Sequence, residues 1–135
     1  MISLLNILVF ILSFLMLITF LVYFHELGHY LTARLFKVKV EKFSIGFGKP
    51  LLQWKSKNGT TWSLGRIPLG GYVKFSEIDN QKNDVVSHIK NNDKLFTTIP
   101  VFQRMLVVLA GPIFNFILTI FIFASLSFTL GSYKV

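Results

Sequence analysis

The stretch Leu21-Val22-Tyr23-Phe24-His25-Glu26-Leu27-Gly28-His29 decides how this chain is read. Everything before it, from Met1 to Phe24, is free of charge; two histidines and a carboxylate then arrive within about one helical turn. Ionisable groups inside an apolar run are expensive at membrane depth, so they are functional candidates by default. On a helix, positions four apart share a face and lie about 6 Å apart along the axis. His25 and His29 are therefore placed to aim ring nitrogens at one Zn2+, with Glu26 beside them as general base.

With 15 phenylalanines in 135 residues, and 53% of the chain hydrophobic, the composition is too apolar for an ordinary small soluble domain. Two segments account for the excess. The first runs from Met1 to about Phe36, broken only by the His/Glu cluster and Arg34; the second, Met105 to Leu130, carries no charge. Each exceeds the roughly 20 apolar residues that cross a bilayer. A cleaved signal peptide is a poor reading of the first run, which has no basic start and too long an apolar stretch. The expected fold class is a membrane protein, α-helical with a small β module: two transmembrane helices flanking a cytoplasmic β-hairpin region. The expected divisions are residues 1–36, a first transmembrane helix with the zinc motif; 37–75, a β-hairpin region; 76–100, a polar loop; and 101–135, a second transmembrane helix with a short tail.

The net charge of +8 does not point to nucleic acid, because its location has another cause. All the lysines and arginines except Lys134 fall between Arg34 and Arg104. Excess basic residues mark the cytoplasmic side, so this loop is expected in the cytoplasm and both termini across the membrane. If Arg34 reaches the interface, His25 lies about 13 Å deeper. The absence of cysteine excludes disulfides and thiolate ligands.

Within the loop, Val38, Val40, Phe43, Ile45 and Phe47 alternate with polar or small residues, with one slip near Glu41-Lys42 that suggests a bulge. Leu51 to Ser56 and Thr60 to Leu64 then flank Lys57-Asn58-Gly59, a hairpin signal. A two-residue turn would put Trp54 and Trp62 on opposite faces. A three-residue loop with Gly59 left-handed pairs Trp54 with Trp62 and Leu52 with Leu64, and it alone yields a coherent apolar face. Ile67-Pro68-Leu69-Gly70-Gly71-Tyr72-Val73 reads as ordered non-helical backbone, and Ser76 to Asn92 as a polar excursion. His88 and Asp93 are expected to be solvated rather than metal-bound. The tryptophan pair serves either hairpin packing or contact with the membrane interface and an extended substrate.

Four pieces of sequence, taken together, resemble the site-2 protease family of intramembrane zinc metalloproteases, in its bacterial branch. They are His25-Glu26-Leu27-Gly28-His29, Phe43-Ser44-Ile45-Gly46-Phe47-Gly48, Ile67-Pro68-Leu69-Gly70-Gly71-Tyr72-Val73-Lys74 and Ala110-Gly111-Pro112-Ile113-Phe114-Asn115-Phe116. They stand in the family's order. The resemblance implies a zinc metalloendopeptidase of the bacterial inner membrane, multi-pass, acting in regulated intramembrane proteolysis. It implies Zn2+ as cofactor, His25 and His29 as metal ligands, Glu26 as the catalytic base, and membrane-protein substrates. It covers only the amino-terminal part of the family's plan, whose third zinc ligand is an Asp in a later Asp-Gly motif. No Asp-Gly dipeptide occurs here. A separate polypeptide is therefore expected to supply that ligand; the alternative is a truncated remnant, or a membrane-embedded binding partner without catalysis. Gly28 suits close helix packing or substrate clearance, and Asn115 suits an interhelical hydrogen bond.

Overall fold

The computed structural model describes residues 3–76 and 93–131. Helix α1 spans Leu4–Leu35, strand β1 Val40–Lys55, strand β2 Thr61–Phe75 and helix α2 Val101–Leu130, with one 3-10 turn at Phe96–Thr98 before α2. Both helices are long and apolar enough to cross a membrane. Helix α1 lies within the apolar run Met1 to Phe36, and α2 takes in the uncharged run Met105 to Leu130 with four residues added at its start.

Helix α1 starts where the Ser3 hydroxyl accepts the Leu5 N–H at 3.3 Å, the usual role of serine at a helix N-cap. It stops in a Schellman arrangement: Lys37 N–H donates to Arg34 O at 3.0 Å and Val38 N–H to Ala33 O at 2.9 Å. Lys37 itself takes the left-handed conformation, φ 59°. The turn sends the chain back along α1 as β1.

The two strands are antiparallel and longer than the sequence suggested. Near the turn the register is Trp54 with Trp62 and Leu52 with Leu64, as expected for the three-residue loop. Gly59 N–H donates to Ser56 O at 2.9 Å, and Gly59 is left-handed at φ 82°. The slip near Glu41 is also present: Val40 faces Phe75 but Lys42 faces Lys74, leaving one extra residue on β1. What the alternation did not disclose is that the strands bend. Lys42, Phe43, Ser44 and Ile45 each take a second partner, Thr61, Trp62, Ser63 and Leu64, and along that seam the residue numbers rise together. The long hairpin thus folds over on itself into a wider sheet. Gly46, at φ 79°, lies in the bend. Buried hydroxyls help close the seam, with Ser44 Oγ 3.2 Å from Ser63 Oγ and Thr60 Oγ1 donating to Val40 O at 3.0 Å.

The core lies where the end of α1, the sheet and the start of α2 meet. Tyr30, Ala33, Val38, Val40, Phe43, Ile45, Ile99 and Val107 are buried there. Tyr30, Phe43 and Trp62 form an aromatic cluster with ring centroids 4.4 to 5.8 Å apart, within the range of favourable edge and offset contacts. The sheet does not stop at the end of α1 but runs alongside it, and the Thr19 hydroxyl comes within 3.4 Å of Pro68 O. Beyond the core, the first half of α1 and the last third of α2 expose large apolar side chains in every direction.

Of the expected polar excursion, residues 77–92 lie outside the described residues, and His88 with them. Asp93 is described and is not simply solvated. Its carboxylate is mostly covered and lies 3.5 Å from the Arg34 guanidinium. The reason is backbone pairing: Lys94 N–H donates to Lys37 O at 2.7 Å and Lys39 N–H to Lys94 O at 2.9 Å, which brings Asp93 to the end of α1.

Candidate metal centre

His25 and His29 lie one helical turn apart on the face of α1 that α2 covers. Their ring centroids are 4.9 Å apart and the rings nearly perpendicular. The Nδ1–H of His29 donates to Val107 O of α2 at 2.7 Å. Since a carbonyl can only accept, this bond fixes the proton on Nδ1 and leaves the Nε2 lone pair free for a metal. His25 presents its Nδ1 to Asn115 of α2, 3.5 Å from the amide nitrogen.

The two Nε2 atoms turn towards one shared space. A methyl group placed on Gly111 would sit 2.7 Å from His25 Nε2 and closer still to His29 Nε2. Glycine at 111 therefore lets the α2 backbone come up against both ring nitrogens, which converge beside it. Two neutral imidazoles, held from behind by α2 and facing a common space, form a donor set that suits Zn2+. Among the described residues no group of three His, Asp or Glu side chains could hold a metal ion.

Two further glycines set the surroundings. A Cβ on Gly28 would lie 2.5 Å from Ala110 O, so Gly28 lets the helices cross closely enough for α2 to reach both rings. Of its two expected roles, tight packing is the one observed. A Cβ on Gly71 of β2 would lie 3.0 Å from Glu26 Cγ and 2.8 Å from Ser44 O. Glu26 thus packs against Gly71, half-buried, on the sheet side of α1. An apolar groove of about 690 Å³ continues from there along α1, lined by Met16, Phe20, Tyr23, Ile45 and Leu64 among others.

The sequence singled out the three α1 residues but gave no sign of what packs against them. Ala110-Gly111-Pro112 stood in one of the four resembling pieces without indicating its partner, and the Val107 carbonyl gives no signal in a sequence. The two tryptophans differ in burial. Trp62 packs on the core, whereas Trp54 stacks on it at 6.3 Å and is 55% exposed.

Comparison with known proteins matches residues 13–133 to peptidase family M50. Metalloprotease MmpA of Caulobacter vibrioides is 38% identical over 141 residues, taking in 94% of this chain and 35% of that protein. A Rickettsia conorii protein provisionally named a zinc metalloprotease is 46% identical over 114 residues, 84% of this chain and 32% of its own length. A Brucella suis protein of the same provisional name is 45% identical over 120 residues, again 84% of this chain and 32% of the relative. The chain spans about a third of the length of these curated relatives. With a family match over most of its residues and identities of this order, the chain belongs to peptidase family M50, the site-2 proteases.

Proposed function

We propose that this chain supplies the metal-holding half of an intramembrane zinc metalloprotease of the bacterial inner membrane, cutting peptide bonds in or beside transmembrane segments. The observation that carries the reading is the convergence of both Nε2 atoms on one point beside Gly111, with Glu26 next to His25 on the same helix. His25 and His29 would hold the Zn2+. When bound, the ion supplies Lewis acidity and lowers the pKa of water towards 7. Glu26 takes the proton of the attacking water and returns it to the leaving amine. Its packing against Gly71 holds the carboxylate on the sheet side, where substrate arrives. A helical substrate shields its own carbonyls, so it must be drawn out; an extended segment added along the sheet beside Gly71 presents them to Glu26.

The setting is part of the proposal. Both helices span the bilayer, the basic loop is cytoplasmic, and the sheet lies against α1 within the membrane's cytoplasmic half. Exposed Leu51, Leu52, Trp54, Ile67 and Leu69 on the sheet suit that depth. Reporter fusions after Phe75 and at Val135 are expected to report opposite compartments; matching signals would overturn the topology.

Catalytic zinc normally has three protein ligands, so the third is expected from another polypeptide segment carrying a membrane aspartate. The decisive assay is cleavage of a transmembrane substrate in proteoliposomes, with the chain alone and with a membrane polypeptide bearing an Asp-Gly motif. Zinc-dependent cutting is expected only in the second arm, and Glu26→Gln should lower it about 10²- to 10⁴-fold. A second reading, a binding partner without catalysis, draws on the two-histidine donor set among the described residues. Zinc binding without cutting in either arm would favour it.

A further inference from the structure

Asn115 has an unsatisfied atom at the metal centre. Its amide nitrogen lies 3.5 Å from His25 Nδ1, while its Oδ1 is buried and has no hydrogen-bond partner. A neutral imidazole has one N–H and one lone pair. If Nε2 of His25 offers its lone pair to the space at Gly111, Nδ1 must carry the proton, and an N–H cannot bond to an amide NH2. The two ends of a carboxamide are distinguished by their hydrogen bonds. A half-turn of the Asn115 amide brings Oδ1 to the Nδ1–H and satisfies both the ring proton and the stranded oxygen.

We propose that Asn115 is a positioning residue: its amide oxygen accepts from Nδ1–H of His25, which fixes that ring's tautomer and leaves Nε2 as a metal ligand. The inference rests on the metal reading above and adds its supporting half. Val107, Gly111 and Asn115 are spaced four apart, so they form one stripe on α2. The Val107 carbonyl holds His29, Gly111 lets the backbone come up against both rings, and Asn115 holds His25. One helix thus carries the ligands while the other sets which nitrogen of each ring is available.

The test reads the tautomer directly, without metal or substrate. The full chain, carrying His88→Gln so that only His25 and His29 remain, is labelled with 15N-histidine in lipid nanodiscs. It is studied at a pH where both rings are neutral, and ring 15N shifts report which nitrogen is protonated. Both histidines are expected as Nδ1–H. In Asn115→Leu, His25 should move wholly or partly to Nε2–H while His29 stays unchanged. In Asn115→Asp, whose carboxylate also accepts, His25 should keep Nδ1–H. Zinc affinity by chelator competition should fall about ten- to hundredfold in the leucine variant, the usual loss for a ligand's supporting hydrogen bond. The proposal is overturned if His25 is Nε2–H in the parent chain, if leucine leaves it unchanged, if both rings shift together, or if aspartate does not preserve the tautomer. Failure of the protease assay would leave the tautomer result standing, so the two readings fail separately.

Discussion

Two neighbouring regions of this molecule, a few residues apart along α1, are built on opposite rules. From Tyr30 onward α1 meets filled space: Phe43 and Trp62 meet Tyr30 edge-on, and Val38, Val40 and Val107 close the remaining volume. From His25 to His29 it meets backbone brought in close, because Gly28, Gly71 and Gly111 lack the side chains that would hold each neighbour off. The first region gains stability from side chains present. The second gains its chemistry from side chains absent, and depends on the first to hold α2 and the sheet at the correct distance.

The sharpest way to break that contrast is to add a side chain where one is lacking. Gly111→Ala puts a methyl group against both Nε2 atoms, so zinc affinity should fall at least about a hundredfold, beyond the loss of one supporting hydrogen bond. Chelator competition measures it, with circular dichroism to show that the helices persist. Retention of near-parental affinity would mean that the metal lies elsewhere.

Emptying the filled region should do the reverse. Phe43→Ala is expected to cost about 3–5 kcal/mol of stability, read from reversible unfolding in mixed micelles, while zinc affinity of the folded fraction changes only a few-fold. A large loss of metal binding without loss of stability would erase the distinction between the regions.

Gly28→Ala probes the boundary. The added methyl meets the Ala110 carbonyl, an overpacking expected to cost about 1–3 kcal/mol and to weaken zinc binding as well, since α2 must retreat from both rings. The smallest effect belongs to Gly59→Ala at the hairpin turn. Nothing lies within 4 Å of the new Cβ, so only the left-handed backbone is penalised, by about 1 kcal/mol, with no change in zinc affinity.

Which parts were legible in the sequence follows the range of the interactions. The spacing of His25, Glu26 and His29 and the turn chemistry of Asn58-Gly59 act over a few residues, and the sequence displays both. The bulge at Glu41 was visible for the same reason. The folding-over of the hairpin was not, because the double pairing of residues 42–45 depends on a bend in both strands at once. The pairing of Asp93 with Arg34, and of Asn115 and Gly111 with the histidines, joins residues far apart in the chain. Only the assembled fold brings them within reach: the backbone pairing of Lys94 for the first, the helix pair for the others.

The backbone pairing between Lys37, Lys39 and Lys94, joined by Ser76 N–H donating to Lys39 O at 3.1 Å and Phe96 N–H to Ser76 O at 3.4 Å, acts as a clasp. It fixes Ser76 and Lys94 next to each other at the end of α1, on the far side of the core from the histidines. Chain length between those two points is thereby uncoupled from the geometry around His25 and His29. Doubling that length should cost only about 0.6 kcal/mol of closure entropy, which makes the clasp a port for insertion, where sequence can be added while the arrangement around His25 and His29 stays as it is.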